Sequence, residues 1–205
     1  MNQGILVLLT KIKTRDGVTL DGIYVPPKRK GKTALIWIHG LSSRFSSGQS
    51  LIKELSGACQ RNGIAYLKFN NRGHDIINRD GPRDKSLLGA ALEKFENCTF
   101  DIKAAIVYAK KLGYKNIILA GASTGANKAL YYLYKTGDRA VKGLILAGPV
   151  NDLDAEISRI DLKRFKEALT AAKSLAKRDP LRLIPQRYGI YTARRYLSIY
   201  QPGTP

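Results

Sequence analysis

The segment Ala34 Leu35 Ile36 Trp37 Ile38 is apolar on both faces of an extended chain, and this constrains the fold more than any other feature of the sequence. A strand without polar alternation is buried from both sides, which calls for a sheet covered by helices on each face. Further strand-length runs follow at Ile64–Phe69, Asn116–Ala120 and Gly143–Ala147. The segments between them carry helical spacing. Leu51, Leu55 and Ala58 mark a first helix, stopped by Asn62 Gly63. A second starts near Thr99, places Ile102, Ala105, Ile106, Ala109 and Leu112 on one side, and ends at Gly113. A third puts Ala126, Ala129, Leu130 and Leu133 on its buried side. Strands alternating with helices imply right-handed crossovers and a mostly parallel sheet, so the fold class is α/β, a three-layer sandwich.

The ends of the chain read differently. Ile5–Ile12 and Val18–Val25 are β-rich and flank Thr14 Arg15 Asp16 Gly17, the signal of an antiparallel hairpin. From Asp152 to Pro205 the pattern is helical: Ile157, Ile160, Phe165, Leu169, Ala172 and Leu175 form a stripe opposite Lys163, Lys166, Lys173 and Lys177. Pro180, Pro185 and Pro202 divide the rest into short pieces, and a polar excursion at Asp80 Gly81 Pro82 interrupts the middle of the chain.

Composition removes several functional classes. No apolar run among the 205 residues approaches the about 18 needed to span a bilayer, and Met1 Asn2 Gln3 Gly4 lacks the basic start of a signal peptide, so a cytoplasmic protein is expected. Cys59 and Cys98 with His39 and His74 give neither a disulfide framework nor metal-ligand spacing, so no metal and no cofactor is expected. Lys and Arg number 35 against 16 Asp and Glu, a formal charge of +19. A balance this basic raises the question of nucleic acid. The charge is spread, however: the one dense run, Lys28 Arg29 Lys30 with Lys32, sits on a turn beside Pro26 Pro27, and no recognition helix, zinc finger or aromatic RNA-binding motif accompanies it. Nucleic acid is therefore not the expected partner.

Three motifs carry chemistry. Gly121 Ala122 Ser123 Thr124 Gly125 fits G-x-S-x-G and stands between a strand and a helix, where a nucleophile elbow must stand. A serine in that strained turn is pushed out above the sheet, and a Cβ at Gly121 or Gly125 would strike a neighbouring strand or helix. The N–H of Thr124, at the start of the helix, would then face a developing oxyanion. The plainer alternative is a small-residue turn with a capping serine. The second motif, His39 Gly40 Leu41, ends the double-faced strand; there the N–H of Leu41 would complete a two-donor hole, with His39 bracing the loop or serving only as a structural residue. In the third, Asn71 Arg72 Gly73 His74 Asp75, the charged side chains read as ties for a tight loop.

His39 Gly40 Leu41, Asn70 Asn71 Arg72 Gly73 His74, Asp101 at a helix head, the Ser123 pentapeptide and Gly143–Leu146 together resemble the α/β-hydrolase superfamily, nearest its serine esterase-like and serine aminopeptidase-like members. The resemblance implies strand order 1-2-4-3-5-6, Ser123 as nucleophile and the N–H groups of Leu41 and Thr124 as oxyanion hole. It further implies a core over residues 1–150 and a helical, lid-like segment over 151–205. The family order of nucleophile, acid and histidine then meets a gap. Asp152 or Asp154 could supply the acid, but no histidine follows Ser123, and the two present lie upstream on other loops. A second oddity is Gly143–Ala147, which reads as an interior strand although no later segment reads as its neighbour. Both have one cause if the last strands lie beyond Pro205; the rival is a complete, shortened relative whose tail helix covers that edge. An exposed edge also makes self-association an expectation. The implied activity is hydrolysis of a small acyl substrate through an acyl-serine; the competing readings are a catalytically dead ligand-binding module and a basic polyanion binder.

Overall fold

The computed structural model describes residues 4–79, 87–186 and 189–201. Asp80 Gly81 Pro82 and the stretch from Pro202 onward lie outside the described residues. The chain opens with β1 (Leu8–Lys13) and β2 (Thr19–Val25), an antiparallel pair in register Ile12↔Leu20. Their turn closes on Thr14, whose Oγ1 donates to Asp16 Oδ1 at 2.6 Å and accepts from the Val18 N–H at 2.9 Å, while Gly17 supplies a φ of 89°.

β3 (Thr33–Ile38) is central: it runs parallel to β4 (Ile64–Phe69) on one side and to β5 (Asn116–Ala122) on the other. β2 closes antiparallel on β4, and β6 (Val141–Ala147) runs parallel to β5. The resulting order, β1-β2-β4-β3-β5-β6, is the one the resemblance implies.

Each face of this sheet has its own core. On one, α1 (Gln49–Arg61) brings Cys59 against Val25, Leu35, Trp37 and Tyr66. On the other, α2 (Cys98–Lys111) and α3 (Thr124–Thr136) bring Ile102, Ile106 and Ala129 against Ile36, Ile38, Leu67 and Leu119. The double-faced run Ala34–Ile38 is buried on both sides for this reason. Each buried aliphatic side chain contributes about 1.5–3 kcal/mol relative to exposure.

Two expectations need correction. Leu130, expected on the buried side of its helix, is 49% exposed, and Leu112, expected on the same side of α2 as Ile102 and Ala105, is 40% exposed. Leu112 falls just past the last turn of α2, and Leu130 lines an open cleft between α3 and the C-terminal helices. On β6, whose pattern is that of an interior strand with no later neighbour, no described strand pairs with the outer edge, and Ile145 and Leu146 are 47% and 36% exposed. The tail, finally, is not wholly helical. After α4 (Asp152–Ile160) and α5 (Leu162–Arg178) comes an antiparallel hairpin, β7 (Leu183–Gln186) with β8 (Gly189–Thr192), and then α6 (Ala193–Tyr200). Pro185 lacks the N–H a helix interior needs, and the β-prone residues Ile184, Ile190, Tyr191 and Thr192 favour extended chain.

The apolar stripe of the tail breaks at Asp161, whose φ is 68° and whose side chain accepts from the Arg164 N–H to cap α5. The stripe packs with Tyr191, Tyr196 and Tyr200 into a third cluster. Among the described residues no helix is long and apolar enough to cross a membrane.

Candidate functional site

Ser123 is the single residue between β5 and α3, with φ 53° and ψ −132°, and it is exposed. A non-glycine residue in that region is strained, and the strain is held by its surroundings. Its N–H donates to the Ala147 carbonyl of β6 at 3.0 Å, and its carbonyl accepts from the Ala126 N–H at 2.8 Å. The flanking glycines are dictated by contact. A Cβ at Gly121 would stand 2.4 Å from the Gly125 carbonyl oxygen, and one at Gly125 would stand 2.2 Å from the Ile38 carbonyl oxygen. The second contact locks the start of α3 against the end of β3, which brings the Gly40 loop beside the serine. A Cβ on Gly40 would lie 3.3 Å from Ser123 Cβ and 3.2 Å from the Ala122 carbonyl oxygen. Among the described residues neither the Leu41 nor the Thr124 N–H donates a hydrogen bond, and Thr124 Oγ1 is buried without a partner.

His39 is buried and both ring nitrogens are engaged. Nε2 accepts from the Asn71 N–H at 3.0 Å, so the proton sits on Nδ1, which donates to the Gly40 carbonyl at 2.9 Å. Burial, aided by the nearby Lys128 and Lys68 charges, pushes the imidazole down to about 3. His39 is therefore a neutral brace between the loops after β3 and β4. His74 contacts Asp75 Oδ2 through Nδ1 at 2.8 Å, and Asp75 in turn pairs with Arg44. Arg72 joins Asp101 at 2.8 Å and Asp16 at 2.7 Å, tying the β4 loop to α2 and to the first hairpin.

Of the two candidate acids, Asp154 belongs to the cap of α4, where its N–H donates to Asn151 Oδ1 at 3.2 Å and its carboxylate accepts from Asn151 Nδ2 at 2.6 Å. Asp152 is half-buried on the open cleft, its carboxyl pushed up by burial against the pull of Arg195. Neither is hydrogen-bonded to a histidine. Among the described residues no cluster of three or more His, Cys, Asp or Glu could hold a metal ion.

Beneath this layer lies a charged group that sequence reasoning missed. Lys128, one turn into α3 and fully buried, donates to both Glu93 oxygens at 2.9 Å and to Asn71 Oδ1 at 3.3 Å. Arg195 of α6 reaches Glu93 Oε1 at 3.2 Å. Burial opposes the charge on Glu93, and the two cations more than offset it, holding the carboxyl below its ordinary range. A lysine on an amphipathic helix ordinarily marks the solvated face; no local signal distinguishes Lys128.

The tail is tied to the segment before α2 and to the loop beside Ser123. Thr192 N–H donates to the Ala91 carbonyl at 2.8 Å, and Phe95 N–H donates to Ser198 Oγ at 3.2 Å. Leu41, in the loop beside Ser123, packs against the third cluster, formed around Phe165, Tyr191, Tyr196 and Tyr200.

Residues 87–202 match the family described as "Protein of unknown function (DUF1749)". No curated protein matches the sequence. Among solved structures, a thermostable carboxyl esterase from Bacillus coagulans in complex with glycerol aligns at TM-score 0.63 and 13% identity, over 98% of this chain and 60% of the esterase. The α/β hydrolase GrgF from Penicillium sp. sh18 aligns at 0.67 and 17%, over 95% and 73% of the two chains. The siderophore hydrolase EstB from Aspergillus fumigatus aligns at 0.64 and 18%, over 100% and 66%. The shared feature is the fold: an α/β architecture with a mostly parallel six-stranded sheet in α/β-hydrolase order.

Proposed function

The chain belongs to the family described as "Protein of unknown function (DUF1749)", an α/β-hydrolase-like family, and from that premise we propose that it is a serine hydrolase of small acyl esters. One observation carries the reading: an exposed serine at φ 53° between two glycines that tolerate no Cβ, beside a loop with an unengaged N–H. Ser123 Oγ adds to the acyl carbon, and the charge that develops on the carbonyl oxygen is met by the N–H groups of Leu41 and Thr124. A general base takes the hydroxyl proton and returns it to the leaving alcohol; water then releases the acyl group by the reverse sequence. Residues 151–205 act as the lid, which the packing of Leu41 on the tail cluster supports.

The base is not His39, which has no free nitrogen and stays neutral. In this reading it comes from outside the 205 residues, and the chain spans 60% of the carboxyl esterase. The engagement of His39 also favours a second reading, in which the same turn and lid hold an acyl or carboxylate ligand without turnover. A fluorophosphonate probe separates the two. Labelling that is lost in Ser123→Ala supports the hydrolase, whereas a folded chain that is never labelled supports the binding module. Slow turnover alone does not decide, since an oxyanion hole without its triad retains about a thousandfold over water.

A further inference from the structure

We propose that the end of the sheet opposite Ser123 is a docking face for an anionic lipid surface, built from nine cations on four adjacent segments with exposed leucines beside them. β3, β4, β5 and β6 run parallel, so the segments that lead into them share one end of the sheet, spread over about 14 Å by three strand spacings. The loop before β3 carries Lys28, Arg29, Lys30 and Lys32. Arg61 precedes β4; Lys110, Lys111 and Lys115 precede β5; Arg139 precedes β6. All nine are exposed. Main-chain bonds join the segments: the Lys28 N–H donates to the Gln60 carbonyl at 3.2 Å, the Lys115 N–H to the Lys32 carbonyl at 2.8 Å, and the Ile117 N–H to the Ala140 carbonyl at 2.9 Å. What is a short basic turn in the sequence is one corner of a wider positive face in the fold.

The charge of this face is not cancelled locally. Its one carboxylate, Asp138, is 10% exposed and is already held by the Tyr132 hydroxyl at 2.7 Å and Lys103 at 2.9 Å; among the described residues it pairs with none of the nine. The other end of the sheet differs, for there Arg44 pairs with Asp75, and Arg72 with Asp101 and Asp16. Cations in the last turn of a helix offset its negative end, which accounts for Arg61, Lys110 and Lys111. It does not account for the six others. Two apolar side chains then choose among polyanions. Leu112, between Lys111 and Lys115, is 40% exposed; Leu6, 71% exposed, leads into β1 at the same end, because β1 and β4 both run antiparallel to β2. A bilayer surface takes cations at its headgroups and leucines at the acyl boundary, whereas a phosphate backbone offers leucine nothing. The one ring on these segments, Tyr114, is 7% exposed and shares its hydroxyl with Tyr24 at 2.7 Å, so no surface for stacking bases is presented. Docking by this face leaves Ser123 open to solvent, since β5, about 20 Å long, separates it from Lys115.

The test sediments the full chain with phosphatidylcholine vesicles containing about 30% phosphatidylserine across a salt series, with pure phosphatidylcholine vesicles and a duplex RNA for comparison. Binding to the anionic vesicles should weaken steeply with salt and be absent from the uncharged ones. For Lys28→Ala/Lys30→Ala/Lys115→Ala affinity should fall at least about tenfold, each cation near such a surface being worth about fivefold. Lys163→Ala/Lys166→Ala/Lys173→Ala removes the same charge from α5 and should change affinity less than about twofold. Leu6→Ser/Leu112→Ser keeps every charge; it should weaken vesicle binding about five- to tenfold while leaving heparin binding unchanged. Equal losses in the two triple variants, an unaffected leucine variant, equal binding to uncharged vesicles, tighter binding to duplex RNA, or no binding at low salt would each overturn the proposal.

Discussion

The Asn71 N–H donates to His39 Nε2 at 3.0 Å, so one main-chain group fixes both the tautomer and the charge of a buried imidazole. Protonating His39 would put a second proton on a nitrogen already used as an acceptor, in a site where burial disfavours charge. Its folded value, about 3, lies below the unfolded 6.5. The stability that this neutral ring contributes is therefore present above pH 6.5 and is lost as pH falls toward 3. Between pH 6.5 and 5 ordinary carboxylates remain ionised, which isolates the histidines. Urea unfolding over that window should show stability dropping with one extra proton taken up on unfolding. His39→Gln, which cannot charge, should remove that slope; an unchanged slope in the variant contradicts the assignment.

Gly125 and Gly143 offer a matched pair. A Cβ on Gly125 would meet the Ile38 carbonyl oxygen at 2.2 Å, with backbone on both sides and nothing flexible to yield. A Cβ on Gly143 meets nothing within 4 Å. Gly125→Ala should cost at least about 3 kcal/mol, at or beyond the upper end for overpacked sites, or prevent folding. Gly143→Ala should stay within about 0.5 kcal/mol. Denaturant midpoints of the two variants check the contrast.

The buried Glu93 carboxylate makes Lys128 far more consequential than its residue type suggests. Lys128→Met leaves Glu93 with Arg195 as its remaining bonded cation and should cost about 3–5 kcal/mol, the range for breaking a buried pair from one side. Lys103→Met removes a 2.9 Å pair whose lysine is 53% exposed, and should cost less than about 1 kcal/mol. Because Arg195 lies on α6, the first variant should also loosen the tail, seen as faster proteolysis within residues 151–201.

These contrasts mark where sequence was informative. The small residues at 121 and 125, the double-faced run at 34–38 and the strand run at 116–120 each impose a local steric or burial demand, so the strand–turn–helix around Ser123 was legible, while the sheet order came from the family resemblance. Lys128 and Glu93 were not, because their burial depends on Gly73 leaving room: a Cβ there would stand 2.3 Å from the Glu93 carboxyl carbon, across about twenty residues of chain. Leu130 misled for the converse reason. Its spacing is that of a buried face, yet the described tail leaves a cleft on that side of α3. The β7–β8 hairpin was hidden because four-residue strands give too few positions for a period to show.

Gly40 permits a test of the Ser123 site that does not touch the serine. Its φ lies outside the left-handed region, so alanine suits the backbone. The added Cβ would sit 3.2 Å from the Ala122 carbonyl oxygen and 3.3 Å from Ser123 Cβ, close enough to displace the two loops by a few tenths of an ångström without breaking either. Nucleophilic attack and oxyanion stabilisation are steeply sensitive to such shifts, and a misplacement of about 1 Å can cost a hundredfold. Gly40→Ala should therefore slow fluorophosphonate labelling of Ser123 by about tenfold or more while the urea midpoint moves by less than about 1 kcal/mol. If labelling and stability fall together, the effect is one of folding. If neither changes, the Gly40 loop does not form one side of the reactive site, and Leu41 is no oxyanion donor.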